Sequence, residues 1–151
     1  MARAAWSRRR VLAGLLFLPP ALAGCGLGGG SGSDEPDPLI ALADAARADA
    51  ALAAAAVAAD RRLADALQPL VDARTEHAAA LEAEIARLDP DRPSPAPAPP
   101  PPGRPGRAEV QQAVLASGRA AGEVALTLPP ERVGLVASVA ACCNAYAEVL
   151  A

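Results

Sequence analysis

A proline-rich segment in the middle of the chain most constrains its fold. Residues 89–106 read DPDRPSPAPAPPPPGRPG and hold nine of the 16 prolines. Proline lacks a backbone N–H and fixes φ, so this segment cannot lie inside a helix or a central strand. In polyproline geometry it spans roughly 55 Å, whereas a helix of about 22 residues is only about 33 Å long. It therefore predicts a linker that can return along a whole helical bundle, so that the helices on either side of it run parallel.

Two helices are predicted before this linker. Asp37-Pro38 supplies a capping carboxylate and a proline at the first helical position, and the Ala- and Leu-rich stretch after it favours a helix over 38–59. The polar stretch 60–62 predicts a tight turn. A second helix follows over 63–88, with Pro69 in its first turns or bending it.

Two more helices are predicted after the linker, over 107–127 and 130–150, separated by Pro129-Pro130. Each shows apolar residues at helical spacing along one face. Two helical pairs joined by one long connection predict an all-α fold, a four-helix bundle with ferritin-like connectivity over 37–151. The proline-rich linker, 89–106, is its crossover between the second and third helices.

Polar residues interrupt the apolar stripes of the first two helices. Asp49 lies on the stripe of the first helix, and Arg74 and His77 lie on that of the second. If the turn near Arg61 reverses the chain, Asp49 comes to face Arg74 and His77. An isolated buried carboxylate is costly, so we predict that these three are structural buried polar residues, joined by an ion pair to Arg74 or a hydrogen bond to His77.

The same residues raise the question of a metal site. A di-iron bundle uses a Glu from each of two helices and a Glu-x-x-His from each of the other two. Here His77 is the only histidine, and the residue three before it is Arg74. A mononuclear site is conceivable, with the ligands Asp49, His77, Glu84 and Cys143. Zinc sites use tighter ligand clusters, so we predict no metal and no cofactor, with a degenerate ferritin-like metal-binding protein as the alternative function.

Other chemistries lack their residues in this sequence. No glycine-rich loop follows a predicted strand, and Ser117 and Ser138 have no second histidine to activate them. The chain after residue 24 carries ten basic and 17 acidic residues, which gives no basic surface for nucleic acid. We therefore expect a non-enzymatic protein without catalytic residues and without a nucleic-acid partner.

The first 24 residues are typical of an export signal. A basic head precedes an apolar run, 11–17, that is too short to span a bilayer comfortably, and small residues follow. Arg8 and Arg9 before that run resemble the twin-arginine signal. Residues 1–24 are therefore predicted to be a signal peptide that is removed on export.

Cys25 ends the sequence Leu22-Ala23-Gly24-Cys25, which resembles a bacterial lipobox. In that family the cysteine thiol takes a diacylglyceryl group, and several acyl chains on one residue hold a protein firmly to a membrane. The Gly- and Ser-rich stretch after it is flexible by composition. Residues 25–36 are therefore predicted to be a lipidated cysteine and its tether, and a chance cysteine beside an ordinary cleavage site is the alternative.

Cys142 and Cys143 are adjacent, so a bond between them would close a strained ring. Buried free thiols suit the apolar stripe of the fourth helix. An intermolecular disulfide in an oxidising envelope is the alternative.

The chain resembles the ferritin-like domain of unknown function found in lipoproteins and secreted proteins of high-G+C actinobacteria. The resemblance spans nearly all of the chain after the signal. It lies in the Ala-rich first helix, in Leu67-x-Pro69-Leu70 with Arg74-x-x-His77-x-x-x-Leu81, and in the closing stretch 139–150. It implies the bundle fold and an envelope location, and it implies no activity.

Together these features predict a lipid-anchored cell-envelope bundle that acts as a non-enzymatic binding or scaffold module. We expect it to be exported and held by lipid to the outer face of the cell membrane. Its expected partners are the membrane, through Cys25, and an unidentified envelope protein. Self-association through the Ala-rich stripes is a further option.

Overall fold

The computed structural model describes residues 36–151, which form four α-helices. These are α1 (Pro38–Ala59), α2 (Ala64–Leu88), α3 (Arg107–Ala125) and α4 (Pro130–Val149). No strand occurs within the described range. The predicted all-α class and the helical bundle are therefore confirmed.

Side chains at the start of α1 and in the turn after it satisfy backbone groups that the helices leave free. Asp37 caps α1, because its carboxylate accepts a hydrogen bond from the Leu39 N–H at 2.9 Å. After α1, the Asp60 carboxylate accepts from the Arg62 N–H at 3.0 Å and starts a 3₁₀ turn, Arg61–Leu63. This turn reverses the chain without glycine or proline.

The helix ends differ slightly from the predicted ones. α2 begins at Ala64, one residue late, because Leu63 belongs to the 3₁₀ turn. α3 ends at Ala125, two residues early. There the N–H groups of Leu126 and Thr127 bond to carbonyls only three residues back, which tightens the last turn.

The helices pack as two hairpins. α1 packs along α2, and α3 packs along α4. The hairpins meet mainly through α1 and α3, and α2 touches α4 more lightly. The segment 89–106 between the hairpins contains no helix or strand.

Arginine contacts define the two ends of the bundle. At the near end, Arg132 in the first turn of α4 donates to the Asp37 carboxylate at 2.7 Å and to the Glu84 carboxylate at 3.1 Å. These bonds bring together the start of α1, the last turns of α2 and the start of α4. Because only residues 126–129 join α3 to α4, the end of α3 lies there too.

At the far end, Arg107 in the first turn of α3 donates to the last carbonyls of the chain. Its bonds to the Val149, Leu150 and Ala151 carbonyls measure 3.0–3.2 Å. These are carbonyls that the end of α4 leaves free, so a cation is well placed there. Nearby, the Tyr146 hydroxyl donates to the carbonyl of Pro69, which lies inside α2.

The core consists of small aliphatic side chains, mainly Ala, Leu and Val. Its most deeply buried members include Leu39, Leu67, Leu70, Leu81, Val110, Val114 and Val136. Leu88, the last residue of α2, lies outside this core and is 52% exposed.

Candidate functional site

Four polar side chains, one from each helix, meet inside the bundle. Asp49 comes from α1, Arg74 from α2, Ser117 from α3 and Cys143 from α4, and all four are buried. We call this set the polar centre. It is the only group of polar side chains among residues 36–151 that is buried in the core.

Arg74 organises the polar centre with three of its nitrogen atoms. Its Nε and Nη2 lie 3.1 and 2.9 Å from Oδ2 of Asp49. Its Nη1 donates to Sγ of Cys143 at 3.1 Å. The guanidinium, which is only 1% exposed, thus links α2 to α1 and to α4.

Ser117 completes the ring from α3. Its hydroxyl donates to Oδ2 of Asp49 at 2.7 Å. One carboxylate oxygen therefore accepts hydrogen bonds from both Arg74 and Ser117. No buried side-chain nitrogen or oxygen in residues 36–151 lacks a hydrogen-bond partner. The hydrogen-bonding groups of the polar centre are therefore satisfied within the protein.

His77 lies one turn beyond Arg74 and is half-buried, at the edge of the centre. Its Nδ1 is 3.2 Å from Nη1 of Arg74. A guanidinium only donates, so Nδ1 must be the acceptor, which assigns the proton of the neutral ring to Nε2. His77 was predicted to be a buried polar residue of the core, and the structure places it, half-buried, at the border of the centre.

Burial shifts the protonation of these groups. It raises the pKa of Asp49 above its usual value, against the opposing effect of Arg74 and the hydrogen bond from Ser117. It also raises the pKa of the Cys143 thiol. Burial and the adjacent Arg74 charge lower the pKa of His77. The thiol is therefore protonated and the imidazole neutral at pH 7.

This geometry is suited to fixing the register of the four helices. The Cys143 thiol is completely buried and bonded to Arg74, so a substrate has no access to it. Each helix contributes one member, so a helix that slid by one turn would leave a polar group unpaired. Alanine side chains are small and similar, so an alanine-rich core does little to fix how the helices align. We therefore interpret the polar centre as the feature that sets the alignment of the four helices.

A metal ion would have to displace the guanidinium from the positions it occupies between Asp49 and His77. Within residues 36–151, no three or more His, Cys, Asp or Glu residues cluster in a way that could hold one. Glu84, the fourth conceivable ligand, lies at the near end, where it bonds to Arg87 and Arg132. Those two arginines lower its pKa, with the Arg87 hydrogen bond contributing most.

The structure therefore brings Asp49, Arg74 and His77 together and leaves Glu84 apart. Cys143 was predicted to be a buried thiol on the apolar stripe of the fourth helix, but the hydrogen bonds of Cys143 to Arg74 and of Ser117 to Asp49 were not predicted. The sequence shows where each residue lies along its helix, but it does not show the register between the hairpins that brings Ser117 and Cys143 to Asp49 and Arg74. The predicted lipidation residue, Cys25, and the export residues, Arg8 and Arg9, lie outside the described residues.

The surface also carries a groove where the proline-rich segment passes the first hairpin. A cavity of about 300 Å³ lies between α1, α2 and residues 92–95. Its walls include Ile40, Ala43 and Pro93, and Arg47 bonds to Glu82 across it. We call this the linker groove. It continues along α1 beside residues 95–99.

Cys142, unlike Cys143, is partly exposed, and both are free thiols.

Among the described residues, no helix combines the length and the hydropathy that a bilayer span requires. Comparison with protein-family models, with curated proteins and with solved structures finds no match to this chain.

Proposed function

We propose that this protein is a lipid-anchored component of the cell envelope whose helical bundle serves as a non-enzymatic binding or scaffold module. The observation that carries the non-enzymatic part is the closed polar centre. Its buried groups bond to one another, and its thiol is protonated and inaccessible. A bundle built in this way offers its surface to a partner and keeps the groups of its polar centre away from a substrate.

The anchoring part rests on the sequence before the bundle. A basic head, an apolar run and the lipobox-like residues 22–25 occur in the order that a lipoprotein signal requires. Cys25 would carry the lipid after removal of residues 1–24. The chain from Cys25 onward would then be held at the outer face of the membrane, with residues 26–36 as its tether.

We further propose the ferritin-like connectivity, with residues 89–106 as a crossover. Two contacts support it. Arg132 bonds to Glu84, which places the end of α2 at the near end of the bundle. Arg107, at the start of α3, bonds to the Leu150 carbonyl at the far end. A linker between these points has to travel the length of the bundle, and α2 and α3 would then run parallel.

The binding part of the proposal is assigned to the linker groove. Apolar walls with a few convergent charged groups are typical of binding sites, and a volume of about 300 Å³ is at the lower limit of their usual size. The groove joins the proline segment to the first hairpin, so a partner bound there would contact both.

Cell fractionation with cysteine variants tests the anchoring. The wild-type protein should sediment with membranes and leave them only in detergent. Cys25→Ser should appear in the soluble exported fraction. Cys142→Ser is the matched control, because it removes another accessible thiol without touching the lipobox, and it should stay with the membrane.

Membrane association that survives Cys25→Ser would contradict the proposal, as would a wild-type protein that is soluble from the start. Crosslinking in intact cells, followed by mass spectrometry, tests the binding part. Crosslinks from Ser94 or Arg92 in the linker groove to one recurrent envelope partner are expected. Crosslinks confined to the opposite face of the bundle would contradict the assignment to the groove.

A further inference from the structure

Large apolar side chains are exposed at the near end of the bundle. Leu126, which caps the end of α3, is 88% exposed, and Leu88, the last residue of α2, is 52% exposed. Leu126 belongs to the short α3–α4 loop, which also exposes Pro129, and the exposed Pro130 follows as the first residue of α4. The far end exposes one such side chain, Val149, at 67%.

The near end is also the end at which the preceding chain enters. Asp37 caps α1 there and is bound by Arg132. Eleven residues, 26–36, separate it from Cys25. A Gly- and Ser-rich chain of that length has a root-mean-square span of about 17–20 Å. The far end lies a further helix length away, about 33 Å for α1.

We propose that the near end faces the lipid bilayer and that Leu126 and Leu88 contact it. This inference rests on the proposed lipid anchor at Cys25. The anchor brings the near end within reach of the membrane, and the exposed leucines then bury apolar surface in it. The bundle stands with α1–α4 directed away from the membrane, and the far end is presented outward.

Charge at the near end indicates that this contact is apolar and not electrostatic. The exposed carboxylates of Asp89, Asp91 and Glu131 lie at this end. The guanidinium of Arg87 is already paired with Glu84. An acidic rim is repelled by anionic lipids, so the contact should be strongest on zwitterionic membranes and should not weaken with added salt.

Single tryptophans can report this orientation, because the chain after residue 24 contains none. We would prepare Leu126→Trp and Leu88→Trp as lipidated full-length mature protein in phosphatidylcholine vesicles with brominated acyl chains. Val149→Trp is the matched control, since it makes the same kind of change at an exposed position of the far end. Vesicle flotation measures the anchoring in the same samples.

In the brominated vesicles, the emission of both near-end tryptophans should shift to shorter wavelength and lose intensity. The emission of Val149→Trp should do neither. Flotation with quenching at Val149→Trp, or at no position, would overturn the orientation while leaving the anchor intact. A blue shift at Leu126→Trp without bromine quenching would indicate contact with a second copy of the chain and would also overturn it. Failure of all three to float would refute the anchor, and the orientation with it.

Discussion

Arg74 is the residue on which the interior of the bundle depends. A guanidinium cannot lose its proton, so when it is buried it must be surrounded by acceptors. Asp49, Cys143 and His77 supply them. The pairing of Asp49 with Arg74 could be predicted, because the two residues lie at similar distances before and after the turn at 60–63. The positions of Ser117 and Cys143 could not, because the register between the hairpins depends on packing that no local pattern encodes.

Replacing Arg74 should therefore destabilise the protein strongly. Arg74→Met leaves the Asp49 carboxylate buried without its partner, which typically lowers the free energy of unfolding by about 3–5 kcal/mol. Urea denaturation measures this loss. Arg119→Met, an exposed position on α3, should change it by less than about 0.5 kcal/mol. The double variant Asp49→Leu/Arg74→Met removes both charges and should recover most of the loss.

The loss in Arg74→Met should also depend on pH. Burial raises the pKa of Asp49, and Arg74 opposes that rise, so the variant raises the pKa further. A carboxyl with a raised folded-state pKa contributes stability below its unfolded pKa of about 3.8 and loses it as pH rises through the folded value. The penalty should be smallest in acid and grow toward neutral pH. A penalty that does not vary with pH would contradict a buried, unpaired carboxyl.

His77 offers an independent check, because it is the only histidine. Burial and the Arg74 charge lower its pKa below 6.5. The unfolded state then takes up a proton at higher pH than the folded state, so the free energy of unfolding falls as pH drops below about 6.5. Titration of its imidazole signal by NMR should show the lowered pKa, and Arg74→Met should move it upward. An unchanged pKa in that variant would refute the contact.

At the scale of elements, the helices were predictable because Asp and Pro residues mark where helices start. Asp37-Pro38 and Pro129-Pro130 mark the helix starts in the sequence, and the structure starts α1 and α4 there. The tightened end of α3 has no such marker. The close approach of α3 to α4 could not be predicted from the sequence either, because it depends on one glycine. A Cβ on Gly118 would lie 2.7 Å from Asn144 Oδ1 and 3.1 Å from Cys143 Cβ.

Two glycines of α3 should respond to alanine in opposite directions. Gly118→Ala forces α4 away at Cys143 and should lower the free energy of unfolding by about 1 kcal/mol or more. Gly122→Ala has no atom within 4 Å of the new Cβ and should raise it by roughly 0.5–1 kcal/mol through helix propensity. Thermal and urea unfolding measure both. Stabilisation by Gly118→Ala would mean that the two helices are farther apart.

Asn144 provides a control for the source of the strain. Its side chain is exposed and can turn away from the new methyl group, whereas Cys143 Cβ is fixed in the core. Gly118→Ala/Asn144→Ala should therefore regain only part of the lost stability. Full recovery would place the strain in the Asn144 side chain alone and not in the helix approach.

At the scale of the whole molecule, the length of the proline segment decides how the hairpins connect. The composition of 89–106 predicted a linker, and its reach suggested a crossover; our proposal for the ends that it joins rests on the Arg107 and Arg132 contacts. The groove it forms with α1 and α2 could not be predicted, because proline-rich sequence does not specify the surface it follows.

Shortening this segment should prevent the native connection. Deleting residues 93–102 leaves eight linker residues, which span about 25 Å, less than the roughly 28 Å length of α3. We expect loss of the cooperative unfolding transition or exchange of hairpins between two chains, measured by circular dichroism and light scattering. An equal-length Gly/Ser replacement should keep the fold. A shortened variant with wild-type stability and oligomeric state would exclude the crossover.

The proposed envelope anchoring requires a lipid on Cys25, in front of the helical bundle. The most direct test is the intact mass of the native protein purified from membranes in detergent. We predict a single species that begins at Cys25 and carries the added mass of a diacylglyceryl group. A species that begins at any other residue, or one that begins at Cys25 without lipid, would contradict it.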